Sequence, residues 1–259
     1  MSKGYVVKSG AGSSVIPAHS IYDYDAVTIA TEMPKHQLGD RMVMSDGRVF
    51  HYALNGAVAL VAGQIVQNAV TISGHQNMTS GVVAIGETTL IVTPATTNMT
   101  KNYYANGYAW TNAGTGSGQV YKIKSHLAIT LSVVGYIQLY DPLVIALDAT
   151  SKVTVAPSPW KGTIAMATTV SGIPVGVPLI AVPATTATIE YYYWAQTWGP
   201  CCILAGGTQV ITTPRQTIGT RSGGAIVGAA HGIPDVGWLL NGLQVTDNEF
   251  CGSFLRISQ

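Results

Sequence analysis

From residue 39 onward the chain runs as short stretches of alternating apolar and polar positions, broken every few residues by Gly, Pro, Asn or Thr. A period of two is the signature of a half-buried strand. It predicts strands at 41–44, 48–52, 57–61, 63–72, 81–85, 89–93, 107–111, 119–124, 127–133, 136–140 and 143–147. Further strands are expected at 152–155, 162–170, 175–182, 187–198, 201–205, 208–213, 224–229, 236–240 and 250–257. Ser45-Asp46-Gly47 between the first two reads as a tight hairpin, with Asp-Gly supplying the positive φ angles of a type I′ turn. No window keeps apolar residues at helical spacing opposite a charged face, and Val, Ile, Thr and Tyr favour strands throughout. The pattern therefore predicts an all-β fold, a barrel and/or a sandwich of many short antiparallel strands.

Residues 1–37 lack this pattern and read as an irregular N-terminal arm. Gly10-Ala11-Gly12-Ser13-Ser14 is a flexible hinge, and Tyr5, Val6, Val7, Ile16, Ile21, Tyr22 and Tyr24 are unevenly spaced apolar anchors. Such an arm either drapes over a neighbouring subunit or packs on its own domain. The rest divides into a main β domain over 38–200, with room for two β subdomains, and a C-terminal β segment over 201–259 packed on it.

Tyr191-Tyr192-Tyr193-Trp194-Ala195-Gln196-Thr197-Trp198 is the most unusual strand. Alternation puts Tyr191, Tyr193, Ala195 and Thr197 on one face and Tyr192, Trp194, Gln196 and Trp198 on the other. Aromatics on both faces mean burial on both sides, or one face in the core and one in a contact. The second reading is favoured, because aromatics are enriched at protein interfaces. It makes Tyr192, Trp194 and Trp198 candidate contact residues alongside the arm anchors. A sugar-stacking platform would use the same face.

Charge then changes the picture. Only 10% of the 259 residues are charged, against about 25% in an ordinary soluble domain. None lies between Arg48 and Glu87 or between Lys161 and Glu190. A chain so poor in charge is expected to cover much of its surface with other protein. Thirteen basic and twelve acidic residues give a net +1, without the Lys and Arg clusters that neutralise phosphates, so no nucleic-acid partner is expected. The N-terminus has no apolar signal core, and Pro174, Pro178 and Pro183 break the one long uncharged stretch. No membrane partner is expected, and assembly in a cytoplasm is.

No constellation announces a chemistry. Six histidines show no metal-ligand spacing, and Asp23 and Asp25 lack the further ligands of a calcium loop. Gly114-Thr115-Gly116-Ser117-Gly118 lacks the Lys-Ser/Thr ending and following helix of a phosphate loop, and reads as a hairpin loop. Cys201, Cys202 and Cys251 read as small apolar residues rather than a disulfide framework. No catalytic residue, metal site or cofactor is expected.

Three stretches together resemble virion proteins of tailed bacteriophages, of the head decoration or cement type. They are Gly39-Asp40-Arg41 through Asp46-Gly47-Arg48-Val49-Phe50-His51-Tyr52 to Gly63-Gln64; Tyr104-Ala105-Asn106-Gly107-Tyr108 with Gly118-Gln119-Val120-Tyr121-Lys122-Ile123; and Val175-Gly176-Val177-Pro178 with Tyr193-Trp194-Ala195-Gln196-Thr197-Trp198-Gly199-Pro200. The resemblance implies a non-enzymatic β-rich subunit, commonly a homotrimer, bound to the major capsid protein on the capsid surface. A head-fibre, tail or receptor-binding virion protein with glycan affinity is the alternative, and a β-fold glycan-degrading enzyme is the remotest.

Overall fold

The computed structural model describes residues 5–8, 13–16, 21–166, 171–205, 209–210, 217–220, 226–228, 235–240, 244–245 and 249–259. Two compact units emerge: unit 1 from Met1–Ala69 and Pro159–Gln259, and unit 2 from Val70–Ser158. The expected division at 37 and 200 is thus replaced by an insertion. Unit 2 interrupts unit 1, whose two halves pair with each other. Alternation along a chain marks strands without saying which distant strand each one meets.

The described residues form strands and one short 3₁₀ turn, Ser73–His75, so the all-β expectation holds. Unit 1 begins with β1 (Tyr5–Lys8), β2 (Ser13–Ile16), β3 (Tyr24–Thr28), β4 (Arg41–Val43), β5 (Val49–Asn55) and β6 (Val66–Gln67). Unit 2 contributes β7 (Met78–Ser80), β8 (Thr89–Thr93), β9 (Tyr108–Ala113), β10 (Val120–His126), β11 (Gly135–Leu139) and β12 (Lys152–Ala156). Unit 1 resumes with β13 (Lys161–Ala165), β14 (Pro174–Pro178), β15 (Ile189–Leu204), β16 (Gln209–Val210), β17 (Thr217–Thr220), β18 (Ile226–Gly228), β19 (Asp235–Leu239), β20 (Gln244–Val245) and β21 (Phe250–Arg256). No helix among the described residues is long and apolar enough to cross a membrane.

Among the described residues the arm is only partly irregular. β1 pairs with β2 and with β4, and β3 runs antiparallel to β15, so these segments extend the sheet of unit 1. Four- and five-residue strands with mixed anchors leave too little alternation to stand out in sequence. Residues 10–12 of the hinge, His19 and His231 lie outside the described residues.

β15 organises unit 1. Its 16 residues pair with β3 over Ile189–Tyr193, with β5 over Tyr192–Trp198, with β14 at Ala195 and Gln196, and with β21 from Trp198 to Leu204. Pairings of β5 with β13, β13 with β6, β6 with β14 and β14 with β15 close a five-strand circuit back to β5. One face of β5 and β15 carries Ala53, Tyr193 and Ala195 into a core with Leu60, Val66, Val175 and Val182. The opposite face carries Phe50, Tyr52, Leu54, Tyr192 and Trp194 into a second core, covered by Ile21, Val27 and Met42.

The β4–β5 hairpin is right in place and differs in turn type. Gly47 N–H donates to Met44 O at 3.0 Å, Met44 N–H to Arg48 O at 2.9 Å, and Gly47 alone has positive φ (86°). That is a three-residue loop closed by a left-handed glycine rather than a type I′ turn, which needs two positive φ angles.

Unit 2 is a closed antiparallel barrel in the order β10-β11-β8-β7-β12-β9. β9, β10 and β11 are consecutive neighbours and β12 returns beside β9, a Greek-key connection. Its core gathers Leu90, Val92, Met99, Ile123, Ile137 and Val153, all with at most 1% exposure. The Gly114–Gly118 stretch is the β9–β10 hairpin loop expected of it. Residues 127–133 and 143–147 are connecting segments rather than strands.

Candidate functional site

The barrel's surface departs most from ordinary protein chemistry. Alternation places Leu139 and Ile137 of β11 inward and Tyr136 and Gln138 outward. The connection from β10 to β11 then carries Leu127, Leu131, Val133 and Val134 into solvent, with exposures of 73%, 43%, 52% and 54%. Single exposed apolar residues are ordinary, but a contiguous group marks an interaction site.

Backbone bonds hold this loop in place. Leu131 N–H donates to Asn98 Oδ1 at 2.8 Å, Ser132 N–H to Pro94 O at 2.8 Å, and Ile129 exchanges bonds of 2.8 and 2.9 Å with Met99. Ile129 is buried at 4% and plugs against Gly135, where a Cβ would collide with its side chain. The backbone polar groups and one anchor are thus satisfied within unit 2, and the remaining apolar side chains face outward. Leu127, Val133 and Val134, together with Lys101, Asn102, Tyr136 and Gln138, line a cleft of 460 Å³. Val82, Ile85 and Val144, exposed at 73%, 66% and 62%, add apolar surface on other loops of the same unit.

Beneath the loop lies a satisfied polar network. Tyr104 hydroxyl donates to His75 Nδ1, His75 Nε2 to Thr97 O at 3.0 Å, Tyr104 N–H to His126 Nε2 at 3.1 Å, and His126 Nδ1 to Leu127 O at 2.8 Å. Each ring uses one nitrogen as acceptor and the other as donor. Both histidines are structural, and His126 ties the start of the exposed loop to the barrel core.

The contact candidates of unit 1 fare unevenly. Tyr22 is 62% exposed and Tyr24 38%, the latter edge-on to Tyr191. Trp198 is half-buried against Phe254. Ile21, Tyr192 and Trp194, exposed at 3%, 5% and 1%, are corrected from contact to core. The reason is the arm itself, whose Ile21 and Val27 pack over the face that would have been offered. His36 adds a ring contact to both Tyr52 and Trp194, at 5.0 and 5.1 Å. The side chains of Tyr5, Val6, Val7 and Ile16 lie outside the described residues.

The two phenols of that core are paired, Tyr52 with Asp25 and Tyr192 with Glu190, while Trp194 Nε1 has no hydrogen-bond partner among the described residues. Burial works to raise the Asp25 carboxyl, and bonds from Tyr52 hydroxyl (2.8 Å), Lys35 N–H (3.1 Å) and the Lys35 ammonium outweigh it and hold Asp25 below its usual range. Asp25 is therefore a structural acid rather than half of a calcium pair with Asp23. All three cysteines are free thiols, with Cys201 and Cys251 buried and Cys202 exposed. Burial pushes the Cys201 thiol up to about 12. Among the described residues no group of three or more His, Cys, Asp or Glu could hold a metal ion.

His51 supplies a pH prediction. Burial first, and then the Arg41 charge, lower its imidazole from 6.5 to about 4. Its ring stacks on Trp160 at 4.7 Å and Nδ1 bonds Thr197 Oγ1 at 3.2 Å. Between those two pH values the unfolded chain binds a proton that the folded chain refuses, so stability falls as pH drops through this window. Denaturant midpoints between pH 7 and pH 4 should show that slope, and His51→Phe should flatten it. An unchanged slope in the variant would assign it to other groups.

Sequence reasoning missed the 127–134 loop because it took the apolar run as a buried strand. The available signal was its lack of charge next to Gly135, which pattern alone cannot separate from burial. No family model matches the chain, and neither does any curated protein or any solved structure.

Proposed function

We propose that the protein is a non-enzymatic structural subunit of a tailed-bacteriophage virion, decorating or cementing the capsid through subunit contacts. The observation that carries the reading is the pinned loop of unit 2, with Leu127, Val133 and Val134 turned to solvent on a backbone fixed by Pro94, Asn98 and Met99. A rigid apolar surface binds with little ordering cost. The scarcity of charge and the resemblance to head decoration proteins support the same reading. The partners are the major capsid protein and further copies of the chain, as a homotrimer by resemblance. The glycan-binding alternative loses its platform, because Tyr192 and Trp194 are core residues.

Capsids lacking the protein, mixed with it and sedimented, should retain many copies per particle on a quantitative gel. A few copies per particle would favour a vertex or tail location. Light scattering of the free protein should give about three times the 27.1 kDa of one chain. A stable monomer at micromolar concentration contradicts the homo-oligomer.

A further inference from the structure

Topology divides the connections of unit 2 between two ends. Every neighbour in the barrel runs antiparallel, so the connections after β7, β9 and β11 emerge at one end and those after β8 and β10 at the other. The five residues of β11 alone separate the ends by about 17 Å. Charge follows the same division. Glu87, Asp141 and Asp148 are the only acids of unit 2, and all three lie in connections of the first end, which carry no lysine. Lys101 lies in the connection after β8, at the other end, where it lines the same cleft as Leu127, Val133 and Val134. The other three lysines of the unit, Lys122, Lys124 and Lys152, are strand residues.

The acidic end is also apolar and pinned. Val83 and Leu147 exchange backbone bonds of 3.0 and 2.9 Å, Gly86 N–H donates to Leu143 O at 2.8 Å, and Leu143 N–H to Glu87 O at 2.8 Å. These bonds tie the connection after β7 to the one after β11, with Val83, Leu143 and Leu147 buried in the barrel core. Val82, Ile85, Val144 and Ile145 are left exposed on the tied segments. Asp148 is held by the Thr115 hydroxyl at 2.6 Å and Thr150 N–H at 2.8 Å. Glu87, Asp141 and Lys101 are exposed and enter no ion pair among the described residues. An apolar group with two open carboxylates at one end thus complements an apolar loop with an open ammonium at the other.

We propose that unit 2 joins one copy of the chain to the next end to end. The surface of Val82, Ile85 and Val144 on one barrel seats on Leu127, Val133 and Val134 of its neighbour, with Glu87 and Asp141 brought to Lys101. Opposite charge sets which end meets which. Two unlike surfaces make a heterologous contact, which continues from copy to copy and suits a protein spread over a shell. Each side offers only a handful of side chains, less than a stable interface buries, so the contact forms between copies already held side by side. The inference rests on the assembly reading only in placing those copies on a capsid.

Charge reversal tests the contact on capsids. Lys101→Glu alone, and Glu87→Lys with Asp141→Lys, should each need about ten-fold more protein for half-saturation, because like charges then face each other. An equal mixture of the two variants should sediment nearly as well as the unaltered protein, since each supplies the charge the other lacks. All three side chains are exposed, so unfolding midpoints should stay unchanged. Full binding by either variant alone, or a mixture no better than its components, would overturn the proposal. A zero-length carbodiimide tests the contact without capsids. In free full-length protein at millimolar concentration, half of it isotopically labelled, it should couple Lys101 of one copy to Glu87 or Asp141 of another, read as mixed-label peptides. Absence of that coupling would overturn the end-to-end contact. Failure of the unaltered protein to sediment with capsids, while the coupling persists, would count against the assembly reading alone.

Discussion

Trp194→Ala is expected to destabilise the free protein by about 3–5 kcal/mol, the range for truncating a large buried aromatic. The indole is 1% exposed and packs edge-on to Tyr52 at 5.2 Å, with His36 on another side at 5.1 Å. Removing it opens a cavity among Ile21, Met42, Phe50, Tyr52 and Tyr192, and detaches the arm from the face it covers. Denaturant unfolding of the isolated chain checks this. A contact residue would instead leave the free protein nearly unchanged and weaken only its assembly. A loss below about 1 kcal/mol would restore that reading, since surface changes stay within about half that amount.

The opposite split is expected for Val133→Lys combined with Val134→Lys. Both side chains are more than half exposed on a loop whose backbone is held by bonds to Pro94, Asn98 and Met99. The free protein should therefore keep its stability within about 1 kcal/mol. Association should weaken by on the order of a hundredfold or more, because two lysines would be desolvated unpaired in an apolar contact. Capsid co-sedimentation across a concentration series reads the effect. Unchanged binding by the doubly charged variant would remove the loop from the contact.

The strands were legible because their pattern is local. The β4–β5 hairpin, the β9–β10 hairpin loop and the long aromatic strand all follow from neighbouring residues, and each forms where the alternation placed it. The insertion of unit 2 was not legible, because it depends on Lys161 and Thr163 of β13 finding Leu54 and Asn55 of β5 across more than a hundred residues. Aromatics on both faces of β15 signalled double-sided burial. They could not reveal that the cover for Tyr192 and Trp194 comes from Ile21 and Val27 of the same chain. Apolar Leu127 and Ile129 read alike in sequence, yet one is 73% exposed and the other 4%. What separates them is the Met99 bridge and the space left by Gly135, both products of the closed barrel.

The proposed function requires the pinned apolar loop of unit 2 to be covered in the assembled state. Hydroxyl-radical footprinting of the protein, free and bound to capsids, measures side-chain access directly. Oxidation of Leu127, Val133, Val134 and Tyr136 should fall several-fold on binding, while buried Ile129 stays low in both states. Equal oxidation of the four side chains, free and bound, would show that the loop is not the contact.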